Sequence, residues 1–162
     1  MPEIIRGPKG TYILTHEQRF EMDREQTFDF FSRAENLEAI TPSSLKFHLI
    51  TPIPIDMHRG TIIEYRLRIN GVPVYWRTLI SEWEYPFRFV DVQQKGPYRL
   101  WRHEHKFEAL EGGGTLMRDR VEYRLPLGPL GHLAHFLFVR RQLMAIWKYR
   151  ERKIGELLQP DA

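Results

Sequence analysis

The sequence predicts an α+β domain in which one strongly curved antiparallel sheet folds around a single long C-terminal helix. Three observations carry this prediction. From about residue 46 to residue 125 the chain alternates polar and apolar residues with period two, broken by Asn-Gly, Gln-Lys-Gly-Pro and Glu-Gly-Gly-Gly turn signals. A helical spacing precedes that stretch, after Asp23, and another follows it from Pro129 onward. A sheet with one apolar face must bury it, and the final helix is the only large partner at hand.

The elements follow in order. After a short arm bearing Pro and Gly, "TYILTHEQRFEM" (11 to 22) mixes β-branched and aromatic residues with polar ones and reads as a first strand whose inward parity is open. Asp23 and Gln26 have capping-box spacing, and Phe28, Phe31, Ala34 and Leu37 recur as on a helix, so one or two short helices come next. "ITPSSL" (40 to 45) stops them, because the residue before a proline is driven out of the α region.

A hairpin then turns at Asn70-Gly71. Its first strand sets Thr61, Ile63, Tyr65, Leu67 and Ile69 against Glu64, Arg66 and Arg68. The return strand, with Trp76, Thr78 and Ile80 on one parity and Tyr75, Arg77 and Leu79 on the other, is sorted less cleanly. Three more strands reach to residue 125, so the alternation delimits six strands of a sheet expected to have about seven. The last segment places Leu130, Leu133, Ala134, Leu137, Met144 and Trp147 at helical spacing behind Pro129, as the apolar side of the long helix. Its basic end (Lys148, Arg150, Arg152, Lys153) suits the negative pole of a helix dipole better than a membrane surface.

Composition narrows the function. At 162 residues the chain has the size of one domain, taken as 1–162 with a core of about 11–155. A formal charge of only +3 argues against a nucleic-acid partner. The absence of cysteine excludes disulfides, thiolate nucleophiles and Cys-ligated metals. No segment is long and apolar enough to span a membrane, and the N-terminus has no basic region followed by an apolar run, so a cytoplasmic protein without stable membrane insertion is expected. Ten Phe, seven Tyr and four Trp imply an interior of large flat side chains that leaves room for a flat apolar ligand.

The stretch "GPYRLWRHEHKFEAL" (96 to 110) puts Trp101, His103, His105 and Phe107 on one strand face, with Arg102, Glu104, Lys106 and Glu108 on the other. If the following turn centres on Gly112, His105 faces Asp119 and Phe107 faces Met117. The tight turn before brings Asp91 near Trp101 or His103. Buried acids need partners, and the histidines supply them. The result is an inward polar belt of Asp91, Gln93, His103, His105 and Asp119, with Thr78 and Tyr65 near, set among Trp76, Phe89, Trp101 and Phe107.

Three readings of the belt stay open. It is a satisfied network that fixes strand register, a site that orients the polar end of an apolar ligand, or a catalytic or metal-binding group. No nucleophile elbow, zinc-protease motif or phosphate loop supports the last, and no cofactor or metal is expected. His132 and His135 are read as helix-surface or cavity-rim residues. One of Arg140 and Arg141 has the reach to enter a cavity, although solvation is the commoner outcome. The proline-rich loop "TPIPIDMHRG" (51 to 60) suits a cavity mouth, with Met57 as lid or plug.

With these segments placed, the ITP, GxPxxW, FxDxQxxGPYxxWxHxHxF and DxVxY strings and the long helix together resemble bacterial members of the SRPBCC superfamily, which includes START lipid-transfer domains, polyketide cyclases and the birch-pollen allergen. The nearest branch in that resemblance carries ligand-binding or "cell division inhibitor" labels. The resemblance implies a helix-grip fold, a seven-stranded antiparallel sheet around a C-terminal helix. It implies binding of apolar molecules and no particular reaction. The expected function is therefore binding or carriage of a small apolar or aromatic molecule or lipid through Tyr65, Trp76, Thr78, Phe89, Asp91, Gln93, Trp101, His103, His105 and Asp119. The alternatives are a cyclase or hydrolase using a His–Asp pair, and an interaction module with a closed, dry interior.

Overall fold

The alternation read from the sequence becomes an antiparallel sheet ordered β1-β2-β8-β7-β6-β5-β4-β3 in a computed structural model that describes residues 1–158. The strands are β1 (Glu3–Arg6), β2 (Tyr12–Phe20), β3 (His48–Leu49), β4 (Ile62–Ile69), β5 (Val72–Glu84), β6 (Arg88–Lys95), β7 (Leu100–Ala109) and β8 (Thr115–Arg124). The helices are α1 (Arg24–Ser32), a C-terminal helix that begins as α2 (Gly128–Ala134), widens into a π turn over His135–Val139, and continues as α3 (Arg140–Leu158). This is the helix-grip architecture, with eight strands where seven were expected. The two that the alternation did not delimit are the short edge strands: β1, which recruits the N-terminal arm onto β2, and β3, which pairs through only two residues with β4.

Local chemistry explains the element ends. Asp23 accepts the Gln26 backbone N–H at 2.8 Å and caps α1, and a single 3-10 turn over Ala34–Asn36 supplies the second short helix. Asn70 and Gly71 both take positive φ (50° and 78°), which matches the hairpin twist between β4 and β5. The register between β7 and β8 is the expected one, with His105 opposite Asp119 and Phe107 opposite Met117. The return strand β5 carries register shifts at Arg77/Thr78 and Ile80/Glu82. The first places its extra residue on β6 and leaves the parity of β5 intact, so Trp76, Thr78 and Ile80 are all buried; the second places Ser81 as an extra residue on β5 and switches the inward parity, so that Trp83 joins the core instead of Glu82. That is why its faces sorted poorly in the sequence.

The sheet closes on α3. Leu143 and Trp147 pack with Tyr12, Leu14, Trp76, Trp101, Val121 and Tyr123, residues drawn from four different strands. A second cluster joins Ile154 and α1's Phe28 to Phe89, Phe107 and Met117. The first half of the helix departs from expectation. Its buried row is Gly131 and His135, continued by Leu143 and Trp147, whereas Leu130, Leu133 and Leu137 are exposed. His135 is thus a core residue, not a surface one: it stacks on Tyr12 at 3.5 Å and pairs with the Tyr123 hydroxyl at 2.7 Å. Arg140 reaches the Ile4 carbonyl instead of the interior.

Candidate functional site

Between the concave face of the sheet and α3 lies a cavity of about 180 Å³. Its wall is mostly apolar: Ile63 and Leu67 from β4, Trp76 and Ile80 from β5, Trp101 from β7, Leu143 and Trp147 from α3. The 51–60 loop contributes Met57 to the wall. Polar groups gather on one side, where β6 and β7 meet the helix: Asp91, His103, His105 and Arg150, with Tyr65 and Thr78.

Strand geometry positions this group. His103 and His105 share a face of β7 because they are two residues apart. Asp91 stands opposite His103 on β6, and Asp119 stands opposite His105 on β8. The hydrogen bonds run diagonally: His103 Nε2–H donates to Asp119 Oδ1 at 2.7 Å, and His105 Nε2–H donates to Asp91 Oδ2 at 2.7 Å. The two imidazoles stack at 3.7 Å, Phe89 lies under His105 at 4.1 Å, and Trp147 packs against His103 at 5.7 Å.

Charge in the cluster is settled by burial and by these partners. Burial lowers the pKa of His103, and the neighbouring His105 charge lowers it further, against the pull of Asp119. Burial acts on His105 in the same sense, but Asp119 and Asp91 together outweigh it and raise its pKa. Burial disfavours the charged form of Asp119, yet the His103 bond and the close His105 and His16 rings hold it well below the usual carboxylate range. Asp91 is lowered for the same reasons against the same burial, through His105 and His103. The opposed shifts favour a proton on His105, which lies between two carboxylates, over one on the neighbouring His103. Tyr65's pKa is pushed up by burial and by the Asp91 carboxylate.

Two buried donors at this end have no hydrogen-bond partner, His105 Nδ1 and Trp147 Nε1. His105 Nδ1 lies 3.4 Å from Asp119 but outside hydrogen-bonding geometry. Asp91, His103 and His105 each bring a ligand atom within 4.8 Å of the others and are the residues able to hold a metal ion.

Of the residues chosen from sequence, the structure brings Tyr65, Trp76, Thr78, Phe89, Asp91, Trp101, His103 and His105 to the cavity wall. Asp119 sits behind the histidines as their common acceptor. Gln93 is not among the residues that line the cavity: its amide donates to the Tyr98 carbonyl at 2.6 Å and accepts the Tyr98 N–H at 3.1 Å, and so staples the β6–β7 turn. Three contributors were not singled out from sequence. His16 on β2 is buried opposite Asp119 with Nδ1 3.6 Å from it, Glu151 lies 3.4 Å from the other side of the His16 ring, and Arg150 lines the cavity.

No protein-family model matches the sequence, and no curated protein matches it significantly. Solved structures do match the fold. A protein of Thermus thermophilus is 16% identical with a TM-score of 0.68, covering 91% of this chain and 99% of its own. A START superfamily protein from Mycobacterium smegmatis is 14% identical at 0.66, covering 90% and 98%. The ginseng major latex-like protein from Panax ginseng is 13% identical at 0.63, covering 93% and 99%. The chain thus has the helix-grip fold of the superfamily that its motifs resemble, and the branch with "cell division inhibitor" labels gains no support from these neighbours. No helix of the described residues is long and apolar enough to cross a membrane.

Proposed function

We propose that this protein binds a small apolar or aromatic molecule in the cavity between sheet and helix, with the molecule's polar end held at His103, His105 and Asp91. The observation that carries the reading is an unpartnered buried donor, Trp147 Nε1, on a residue that lines the cavity beside its polar group of Asp91, His103, His105 and Arg150. A buried donor left unmet costs roughly 1–3 kcal/mol, so a guest that accepts from it recovers that loss. The chemistry wanted is an acceptor: a carbonyl, a carboxylate or a phenolate. A cavity of about 180 Å³ takes one aromatic ring or a short chain as it stands. Larger guests require the 51–60 loop or the helix to move.

The test is mass spectrometry under non-denaturing conditions on protein purified from its native host, with organic extraction of what co-purifies. An added mass that extracts into solvent and is missing from a folded His103→Phe/His105→Phe variant supports the reading. A bare protein whose Trp fluorescence is unmoved by benzoate or benzyl alcohol refutes it.

A second reading, general-base catalysis, draws on one specific feature: a neutral His103 oriented by a buried carboxylate, its Nδ1 3.9 Å from Asp91. It predicts turnover of the bound molecule at a rate that follows deprotonation of His103 below the ordinary histidine range, and full turnover in His103→Gln would sink it.

A further inference from the structure

We propose that the start of the C-terminal helix is a docking surface for an anionic phospholipid bilayer. Leu127, Leu130, Leu133, Phe136, Leu137 and Phe138 all face solvent, Phe136 at 79% exposure and Leu127 at 74%. Isolated exposed apolar residues are ordinary, but six in twelve consecutive positions form a patch of the kind that marks an interaction site. The local backbone maintains it. The π turn at His135–Val139 sends His135 inward while Phe136, Leu137 and Phe138 remain outside. Leu127 sits in the left-handed region at φ 70°, a conformation costly for a leucine, directly before Gly128.

The charges around the patch select its occupant. Between Glu122 and Glu151 the sequence has no acidic residue. Three grooves border the apolar crown, and each carries bases without a single carboxylate: Arg68 and Arg141 beside Phe138, Arg6 and Arg140 beside Phe136, and Lys9, Arg99 and Arg124 beside Leu127. Among the described residues none of these seven cations is in an ion pair. On the outer face of the sheet, by contrast, Arg88 and Arg118 are each tied to two or more glutamates. Apolar side chains surrounded by uncompensated bases fit the boundary between acyl chains and anionic headgroups. They do not fit a second copy of this chain, because a two-fold interface would press the basic rim against itself.

The groove between the helix and the β4–β5 hairpin shares Leu45, Gln142 and Ile146 with the cavity wall. Docking would therefore seat the bilayer at a path into the cavity. That link rests on the ligand reading; the docking itself does not.

The experiment is co-sedimentation of the full chain with sucrose-loaded vesicles, either pure phosphatidylcholine or phosphatidylcholine with about 30 mol % phosphatidylglycerol. Expected is binding to the anionic vesicles at low salt, weakened at least about tenfold by high salt or by omitting phosphatidylglycerol. Phe136→Glu/Phe138→Glu, two exposed sites, should lower binding at least about tenfold with an unchanged circular dichroism spectrum. Arg140→Gln/Arg141→Gln should lower it on anionic vesicles only. A wild-type protein that stays in the supernatant overturns the proposal. So does a wild-type dimer in sedimentation velocity that the Phe136→Glu/Phe138→Glu change dissociates, which would assign the face to a second copy. Benzoate binding read by Trp fluorescence is measured in parallel, so that loss of the ligand reading and loss of the docking reading are seen separately.

Discussion

His103 and His105 lie face to face at 3.7 Å, yet each gives its Nε2 proton to a different carboxylate, His103 to Asp119 and His105 to Asp91. Two stacked imidazolium ions would repel strongly in a buried site, so the rings do not favour a second proton, and the network favours the first one on His105. This opposition between two residues only two positions apart is therefore a property of the diagonal bonding. It is directly observable: imidazole ¹⁵N resonances should show His105 titrating above the ordinary value of about 6.5 and His103 below it. A shared midpoint for the two rings would refute the assignment.

Asp119 is the acceptor on which that arrangement depends. It bonds His103, lies 3.4 Å from His105 and 3.6 Å from His16, and is buried. Asp119→Ala leaves these imidazoles without their common carboxylate, and removing one partner of a buried ionic group costs about 3–5 kcal/mol. For a chain of this size that corresponds to a fall in Tm of roughly 10 °C or more, read by calorimetry. A drop of only a degree or two would mean that the cluster contributes little to stability and is free for other uses.

Stability should decline on acidification before any carboxylate titrates. Burial, aided by Arg140 and His132, drives the pKa of His135 down to about 4. A histidine whose folded pKa is depressed loses stability as pH falls below its unfolded value, because the unfolded chain takes up the proton first. His103 acts in the same direction. The decline thus spans about pH 6.5 to 4, and the lowered Asp91 and Asp119 extend it at still lower pH. His105, raised, contributes in the other sense: its stabilisation is complete below about 6.5 and is lost as pH rises through its folded value. His135→Gln should flatten the slope of Tm between pH 6.5 and 4; an unchanged slope would locate the proton uptake elsewhere.

How much of this was legible depends on which physical rule governs each residue. Strand parity is rigid, so the inward face of β7 and its partners Asp91 and Asp119 could be read from spacing alone. His16 was not found because the mixed residues of "TYILTHEQRF" left the parity of β2 open; the run of Tyr12, Leu14, His16 and Phe20 on even positions was the available signal. Arg150 was absorbed into the basic helix end, although it falls on the helical row Leu143, Trp147, Arg150, Ile154 that meets the sheet. The first half of the helix could not be oriented from sequence. It has apolar residues on more than one side, and which row meets the sheet was settled by a π turn that periodicity does not announce. Gln93 had the right parity but lies close to a turn whose Tyr98 backbone took its amide.

The 51–60 loop offers a way to close the cavity without touching the cluster. Met57 lines the wall and packs with the Ile63 and Ile80 group. Met57→Trp should fill space that a guest would use, lowering affinity for benzyl alcohol at least about tenfold, which corresponds to about 1.4 kcal/mol. Tm should hold or rise, since cavity filling removes void. Unchanged affinity in a folded variant would place the guest deeper, against Trp147 and His103.

Arg150 supplies a sharper test of what the polar end accepts. It is the only lysine or arginine among the residues lining the cavity, and Asp91 is the only carboxylate. Its guanidinium also lies 5.0 Å from the centre of the Trp147 ring, so it has a packing role as well as a charge. The two roles separate with a pair of guests of equal size. Arg150→Met keeps much of the apolar stem over Trp147 and removes the charge. If the guanidinium meets an anionic guest, the substitution weakens benzoate by at least about tenfold, in line with roughly 1.5–3 kcal/mol for a hydrogen bond to a charged group, and leaves benzyl alcohol within about twofold. Equal losses for both guests would show that Arg150 acts by holding Trp147 in place, and the acceptor at the polar end would then be met by Trp147 without a contribution from the guanidinium.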